Sequence, residues 1–235
     1  MPQDVTVYVS TLDQWSMVWP GFCHGLHKYW WDCPWPVAFS TETLDAPCST
    51  SLKVGVEEHW ARRNRKALEK IDSSVVLFMI EDFWLTEPVD TAVMLEFADL
   101  VKRGEADYIV LAYGNQDYNS GIFALDERLF HRSKEDFYRL TLQAAFWRKD
   151  VLLDLLGDDI ATPWAFEQAG RDRSQNLVCL ATQEYRFLKY VERSIPEFES
   201  GAVLRGKWMP SAKLYAEREG LAIDFSVNPN GTYND

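Results

Sequence analysis

The sequence predicts an α/β fold in which helices flank a mixed, mainly parallel sheet. Two continuous apolar runs, 74–80 and 108–112, lack the alternation of a half-exposed strand and are typical of strands covered on both faces. Segments 57–71 and 90–104 carry apolar residues at helical spacing, and they precede and separate these runs. Strands and helices that alternate in this way are typical of a sheet with crossover connections.

The remaining elements follow from local patterns in chain order. The run 5–9 alternates like a half-buried strand and ends in a polar loop. The short apolar run 36–39 is also followed by polar residues, and both runs are predicted to be strands. Asp90 is placed to cap the helix that Gly104 ends. Beyond Gly114 the pattern predicts strands over 121–125, 141–147 and 177–181 and helices over 150–156 and 213–218. We find no repeat or linker and expect one domain over residues 1–235.

The charge balance argues against one class of partner. The 235 residues contain 24 Lys and Arg against 36 Asp and Glu, so the formal net charge is −12. A protein that binds duplex DNA needs cations that displace counterions from the phosphates. We therefore expect no nucleic-acid partner. The 10 Trp residues serve either as core bulk or as stacking platforms for a base or sugar ring, and composition leaves both readings open.

The cysteines and the start of the chain bear on its compartment. No apolar run approaches the roughly 18 residues of a membrane span, and the first residues lack a cationic segment followed by an apolar core. The four cysteines form no CxxC pair, so we expect reduced thiols in a cytoplasmic protein. Cys23, His24, His27 and Cys33 lie close together, but they lack the paired ligands of a structural zinc site, and packing roles are favoured.

Two adjacent carboxylates, Glu81 and Asp82, follow the apolar run 74–80. Ligands of open α/β sheets bind at the carboxyl ends of strands. Successive side chains of an extended chain point to opposite faces, so we expect Asp82 to face the site, with Glu81 in support. Carboxylate oxygens suit Mg²⁺ or Mn²⁺, which keep waters and substrate phosphates as further ligands. A turn cap or a solvated acidic pair is the alternative.

A helix rich in Arg and Asn, 61–71, precedes an apolar strand that ends in these acidic residues. This arrangement resembles the corresponding segment of GT-A fold glycosyltransferases, in which the strand ends in a DxD motif. The likeness continues through segments 84–90, 142–150 and 163–167. Where a DxD motif has its first Asp, this sequence has Met79 or Ile80. The resemblance is to small sugar transferases of surface-polysaccharide pathways.

The resemblance implies a GT-A-like, Rossmann-like sheet and a nucleotide-sugar donor, above all a UDP-sugar. It also implies a glycan or small-molecule acceptor and a Mn²⁺ or Mg²⁺ ion held by Asp82. Under this reading, residues from about 1 to 113 form the half that binds the nucleotide sugar. Residues from about 114 to 235 form the half that binds the acceptor.

Sugar transfer makes chemical demands on further residues. The departing diphosphate needs positive charge, which Arg62 or Arg63 could supply beside the cation. An inverting transfer needs a carboxylate that accepts the proton of the acceptor hydroxyl. Glu167 is the candidate, because it follows Pro163 near a helix start and because its segment resembles an acidic acceptor motif of GT-A enzymes. A glutamate favoured by the helix dipole is the alternative.

Other polar and aromatic residues complete the predicted site. Those expected to bind the base and ribose lie in the loops after the first two strands, where ordinary turn chemistry would also place them: Ser10, Thr11, Asp13 and Glu42. Trp147 and Trp164 could stack on an acceptor sugar, with core packing as the alternative. Arg205 and Lys207 are expected either near the diphosphate or in a surface tract.

These observations favour a metal-assisted, inverting glycosyltransferase. Two other classes remain open. One is a carbohydrate-binding module that has kept the fold and lost turnover. The other is a nucleotidyltransferase, although no glycine-rich phosphate loop follows the first strand.

Overall fold

A nine-stranded sheet forms the centre of the protein. The structure, a computed structural model, describes residues 4–111, 119–123, 128–182, 188–189, 201–204 and 206–227. The strands lie in the order β3-β2-β1-β4-β8-β5-β9-β7-β6. Within this sheet β7 and β8 run against the direction of the other described strands. Its strands are β1 Val5–Ser10, β2 Val37–Thr41, β3 Thr50–Lys53, β4 Val75–Ile80, β5 Tyr108–Val110, β6 Asn119–Phe123, β7 Leu129–Arg132, β8 Ala145–Arg148 and β9 Cys179–Thr182.

Six α-helices and one short hairpin complete the described part of the chain. The hairpin pairs β10 Val203–Leu204 with β11 Lys207–Trp208. The helices are α1 Trp19–Tyr29, α2 Trp60–Leu68, α3 Thr91–Lys102, α4 Lys149–Leu155, α5 Pro163–Arg173 and α6 Pro210–Glu219. None of these helices combines the length and the apolar character that crossing a membrane would require.

Helices cover both faces of the sheet, and β4 shows this most directly. Val75, Leu77 and Met79 pack into one buried cluster, whereas the alternate residues Val76 and Phe78 pack into another. The first cluster includes side chains from α1, α3 and α6, and the second includes side chains from α2, α4 and α5. Both faces of β4 are therefore buried, which explains why its sequence is continuously apolar. The predicted α/β class, a mainly parallel sheet flanked by helices, is confirmed.

Local capping follows the sequence signals at two helices. The side chain of Asp90 accepts a hydrogen bond from the Val93 amide, 3.2 Å, and so caps α3 as predicted. Thr162 caps α5 in the same way and Pro163 takes the first helical position. The start predicted for the helix over 57–71 was less accurate, because α2 begins only at Trp60, after the extended residue His59.

Several elements differ from the sequence prediction, which did not include β3, β7 or the hairpin of β10 and β11. The strand expected over 141–147 is shorter, because β8 begins at Ala145 and runs antiparallel to both β4 and β5. Helix α1 was not predicted, since its two glycines weaken the helical signal. Gly25 is needed there because a Cβ atom would lie 2.8 Å from the Leu85 amide nitrogen. The glycine thus permits the helix to approach the chain that follows β4.

The expectation that all four cysteines are reduced thiols is wrong for two of them. Cys23 on α1 and Cys48 in the loop before β3 form a disulfide, with 5.7 Å between their Cα atoms. The pairing escaped the sequence analysis because the packing of α1 beside that loop, and not a CxxC spacing, brings the two residues together. Cys33 and Cys179 are free thiols. With Cys23 in the disulfide and His24 bonded to Glu219, the zinc alternative loses two of its ligands.

Candidate functional site

A cavity of about 560 Å³ lies at the carboxyl end of β4. Ile80, the last residue of the strand, and the two following carboxylates form its floor. Strands β1, β2 and β4 are parallel neighbours, so the loops after them meet at this edge of the sheet. The described residues that line the cavity are Trp15, Ile80, Glu81, Asp82, Trp164, Val203 and Gly206.

Glu81 and Asp82 both border this cavity, which corrects the expectation that only one of them faces the site. Strand alternation does not apply to them, because β4 ends at Ile80 and the chain then turns. The Phe83 amide donates to the Ile80 carbonyl, 3.1 Å, and the Trp84 amide donates to the Asp82 carbonyl, 3.0 Å. Both residues of this turn therefore line one cavity.

The surroundings of the two carboxylates oppose their ionisation. Glu81 is only 7% exposed, and this burial raises the pKa of its carboxyl group. The nearby charge of Asp82 raises that pKa further. Burial also raises the pKa of Asp82, and the Val203 amide, which lies near its carboxylate, works in the other direction. Titratable groups whose pKa values are raised by burial and by each other are typical of functional sites.

Arg63 is a positive charge that lowers the pKa of Glu81 and so partly offsets the effect of burial. The residue is buried on α2, and its guanidinium donates to the Glu57 carbonyl, 3.2 Å. Burial lowers the pKa of Arg63, and the charges of Tyr8, Glu81 and Glu42 oppose this effect. Arg62 takes another direction, because its side chain is exposed and forms an ion pair with Asp158 at 3.1 Å. Arg63 is therefore the better placed of the two predicted arginines.

Ser10 and Thr11, at the end of β1, are both buried. The Thr11 hydroxyl accepts a hydrogen bond from the Trp19 indole nitrogen, 2.9 Å, which connects the end of β1 to α1. The same hydroxyl lowers the pKa of Glu81 and so partly offsets the effect of burial. The role predicted for it and for Ser10 in binding base or ribose stays a prediction.

Asp13 and Glu42 hold two loops together. The Asp13 carboxylate accepts hydrogen bonds from the amides of Glu42, Thr43 and Leu44, at 2.9, 2.8 and 3.1 Å. In return the Asp13 amide donates to the Glu42 carboxylate, 3.2 Å. Burial alone would raise the pKa of Asp13, but the bonds from Thr43, Glu42 and Leu44 outweigh burial and lower it. Both residues thus shape the loops after β1 and β2, and their predicted contact with nucleotide stays a prediction.

The two candidate tryptophans lie in different environments. Trp164 lines the cavity and is 62% exposed. Trp147 has no exposed surface and packs on the Tyr108 ring, with 4.2 Å between ring centroids. The stacking role suggested for Trp147 therefore needs correction: β8 is a central strand with both faces covered, and strand alternation puts this ring into the helix-covered core.

Glu167 lies one helical turn after Trp164 on α5, so the two residues share a face of that helix. Its carboxylate accepts a hydrogen bond from the Leu142 amide, 2.8 Å. This bond connects α5 to the segment that leads into β8. The carboxylate is thus held by the main chain before β8, and Glu167 is not among the described residues that line the cavity. Its function as a base stays a prediction.

The C-terminal segment, in which Arg205 and Lys207 were expected near the diphosphate or in a surface tract, lines the cavity through other residues. Val203 and Gly206 line the cavity, whereas Arg205 lies outside the described residues. Trp208 is buried and packs near Trp84, with 5.9 Å between ring centroids. Trp15 was also missed, although its position two residues after Asp13 in the loop after β1 was a usable signal.

A divalent cation fits the two carboxylates. Both supply oxygen donors to one cavity, and a cation there would relieve the repulsion between them. Across the described ranges, no group of three or more His, Cys, Asp and Glu residues could hold a metal ion. Waters and substrate phosphate oxygens would therefore complete its coordination, as is common for Mg²⁺.

Comparison with known proteins adds a likeness in overall arrangement. No family model matches the sequence, and no curated protein does either. Among solved structures, the bifunctional IspDF from Campylobacter jejuni is 12% identical, with a TM-score of 0.49 over 80% of this chain and 52% of the other. TarS 1–349 from S. aureus is 11% identical, with a TM-score of 0.47 over 80% of this chain and 59% of the other.

A third similar structure is 4-diphosphocytidyl-2C-methyl-D-erythritolsynthase from Anaerococcus prevotii, 8% identical, with a TM-score of 0.48 over 81% of this chain and 93% of the other. The chain thus spans little more than half the length of the first two structures. These values describe the general arrangement of sheet and helices, and no activity follows from them.

Proposed function

We propose that this protein is a glycosyltransferase that uses a nucleotide-activated sugar and a divalent cation. The observation that carries the proposal is the cavity at the carboxyl end of β4, which Glu81, Asp82 and the exposed Trp164 all line. An anionic pair beside an aromatic surface suits a cation-bound diphosphate on one side and a sugar ring on the other.

Each predicted residue has a role in this proposal. Asp82, with Glu81, holds the Mn²⁺ or Mg²⁺ ion, which when bound offsets the negative charge of the departing diphosphate. Arg63 balances the charge of Glu81, and Arg62 has the lesser part because Asp158 already pairs with it. Ser10 and Thr11 contact the base or ribose of a UDP-sugar, and Asp13 and Glu42 shape the loops around it.

The acceptor side of the proposal rests on α5. Trp164 stacks on the face of a glycan or related acceptor, and Glu167 accepts the proton of the attacking hydroxyl. The hydrogen bond from the Leu142 amide fixes one carboxylate oxygen of Glu167 and so orients the group. Attack with loss of that proton, on the face opposite the leaving diphosphate, makes the transfer inverting.

A binding test separates this function from a carbohydrate-binding module. The melting temperature of the purified chain is measured with UDP, GDP, CDP and TDP, each with and without Mn²⁺. Because a ligand that binds the native state raises the melting temperature, we expect one nucleotide to raise it by several degrees, and more with Mn²⁺. Binding of free sugars without any nucleotide effect would favour the non-catalytic module and contradict the proposal.

A product assay distinguishes the proposed glycosyltransferase activity from that of a nucleotidyltransferase. The chain is incubated with UDP-sugars and Mn²⁺ and, in parallel, with CTP and a sugar phosphate. We expect release of nucleoside diphosphate from a UDP-sugar and no release of pyrophosphate from CTP. Pyrophosphate release without any hydrolysis of nucleotide sugar would assign the site to nucleotidyl transfer.

A further inference from the structure

The segment Gly201–Val203 reaches Asp82 from a distant part of the sequence. The Ala202 amide donates to the main-chain carbonyl of Asp82, 2.9 Å. The amide of the next residue, Val203, lies near the side-chain carboxylate of Asp82 and favours its charged form. The main chain of this segment therefore binds the backbone of Asp82 and lies next to its carboxylate, and Val203 also lines the cavity.

Gly201 leaves the space that the Asp82 carboxylate occupies. A Cβ atom at this position would lie 2.9 Å from Cγ of Asp82 and closer still to Oδ2. The φ angle of Gly201 is 157°, which also favours glycine. Gly220 offers a contrast, since its φ is 67° but a Cβ atom there meets nothing within 4 Å in the part of the chain that the structure describes. The two glycines share a positive φ and differ in the contact.

The carboxylate needs such support because of its neighbour. Glu81 borders the same cavity, and two carboxylates side by side repel each other when both are charged. Without a restraint, the Asp82 side chain would rotate away from Glu81. The close-packed Gly201 and the main chain of Ala202, which is bonded to the Asp82 carbonyl, restrict that rotation.

We propose that Gly201–Val203 is a positioning element for Asp82 that fixes its carboxylate in the orientation needed to share a cation with Glu81. This inference rests on the proposed function, because it takes Asp82 as the cation ligand. It adds a requirement that the carboxylate pair alone does not contain: the C-terminal hairpin must be seated against β4 before the site can bind a cation. The hairpin thereby becomes part of the site, and its main chain makes the decisive contacts.

The contact itself is tested by a double-mutant cycle on melting temperature, with no metal present. The variants are Gly201→Ala, Asp82→Ala and the double variant, with Gly220→Ala as the control for a positive φ. We expect Gly201→Ala to lower the melting temperature by about 5 °C or more, and by less than half as much when Asp82 is already Ala. An equal loss in both backgrounds would show that Asp82 does not fill the space, and would overturn the inference. If Gly201→Ala alone fails to fold, the double variant shows whether removal of the Asp82 carboxylate restores folding.

The positioning role is tested by Mn²⁺ binding, measured from the EPR signal of the free ion. Wild type should bind Mn²⁺, and Asp82→Asn should abolish binding. We expect Gly201→Ala to weaken Mn²⁺ binding by about 10-fold or more, whereas Gly220→Ala binds like wild type. If Gly201→Ala also binds like wild type, the inference fails and the proposed function stands. If wild type binds no Mn²⁺, the cation part of the proposed function fails and this inference falls with it.

Discussion

The two ends of β4 carry cavities of similar size and opposite electrostatic character. At the carboxyl end, about 560 Å³ is bordered by Glu81 and Asp82. At the amino end, about 440 Å³ is bordered by charged residues that include Lys102, Arg148 and Asp150. Lys102 pairs with Asp4, and Arg148 pairs with Asp107, 3.0 Å, and with Asp150. Three of the five charged residues that line the amino-end cavity are thus in ion pairs, and the other two, Asp72 and Lys149, are of opposite sign. Two residues of like charge line the cavity at the carboxyl end.

This difference indicates which cavity has a chemical role. Matched, partly exposed ion pairs contribute little to stability and place no demand on a ligand. Like charges in a buried place cost stability, and a protein retains them where another molecule or ion completes the balance. The comparison therefore favours the carboxyl end as the proposed ligand site.

A matched pair of substitutions, Asp82→Asn and Asp150→Asn, tests most directly whether the two cavities differ in function. We expect Asp82→Asn to lower turnover of the nucleotide sugar by about 100-fold or more, because the charge of the diphosphate loses its cation. Its melting temperature should stay level or rise, since the repulsion with Glu81 disappears. Turnover of Asp150→Asn should equal that of wild type. Comparable losses in both variants would remove the distinction between the two cavities.

Glu167→Gln gives the next largest effect. Gln keeps the oxygen that accepts the Leu142 amide, so the fold should be retained, but it cannot take a proton. We expect transfer to the acceptor to fall by about 100-fold while the affinity for the nucleotide is unchanged. Steady-state transfer and nucleotide titration by melting temperature measure the two effects. Full transfer activity in this variant would remove Glu167 from the mechanism.

Trp164→Ala should have a smaller effect, confined to the acceptor. Loss of a stacking surface is expected to raise the KM for the acceptor by about 10-fold and to leave kcat nearly unchanged. Trp31 provides the control, because it is 81% exposed and is not among the described residues that line the cavity. Initial rates over a range of acceptor concentrations separate the two parameters. An equal increase in KM for Trp31→Ala would mean that a general loss of aromatic surface is responsible.

The smallest expected effect concerns Glu219, a carboxylate with matched charges, in contrast to Asp82. It binds the His24 ring, 3.0 Å, the Tyr29 hydroxyl, 2.8 Å, and the charged groups of Lys28 and Arg218. Burial alone would raise its pKa, but the hydrogen bonds from Lys28, His24, Tyr29 and Arg218 outweigh burial and lower the pKa to about 2. These bonds connect α1 to α6.

The pKa of Glu219 is depressed in the folded state relative to about 4.3 in an unfolded chain. Its contribution to stability is therefore complete above that value and is lost as the pH falls toward about 2. We expect Glu219→Gln to lower the melting temperature by a few degrees at pH 6 and to differ little from wild type near pH 2. A difference from wild type that is the same at both pH values would show that the charge of Glu219 is not the cause.

Sequence patterns predicted the sheet better than the site. The apolar run of β4 and the cap at Asp90 depend on neighbouring residues, and both were read correctly. The face that Trp147 takes depends on β8 being inserted antiparallel between β4 and β5, which no local pattern reveals. The same holds for Val203, whose contact with Asp82 comes from tertiary packing. The local sequence was therefore sufficient to predict that the carboxylates follow β4, whereas tertiary packing determines which residues surround them.

The disulfide between Cys23 and Cys48 makes the stability of the site's outer loops depend on the redox potential of the surroundings. The ring that it closes spans a sequence separation of 25 residues and contains the whole of β2 together with Glu42. A link of this length stabilises a fold by about 3.5 kcal/mol in the chain-entropy model, through the unfolded chain that it restricts. Under a strongly reducing thiol buffer, the link and its contribution are lost. The protein can thus exist in an oxidised and a reduced form of different stability, and the redox conditions determine which form is present.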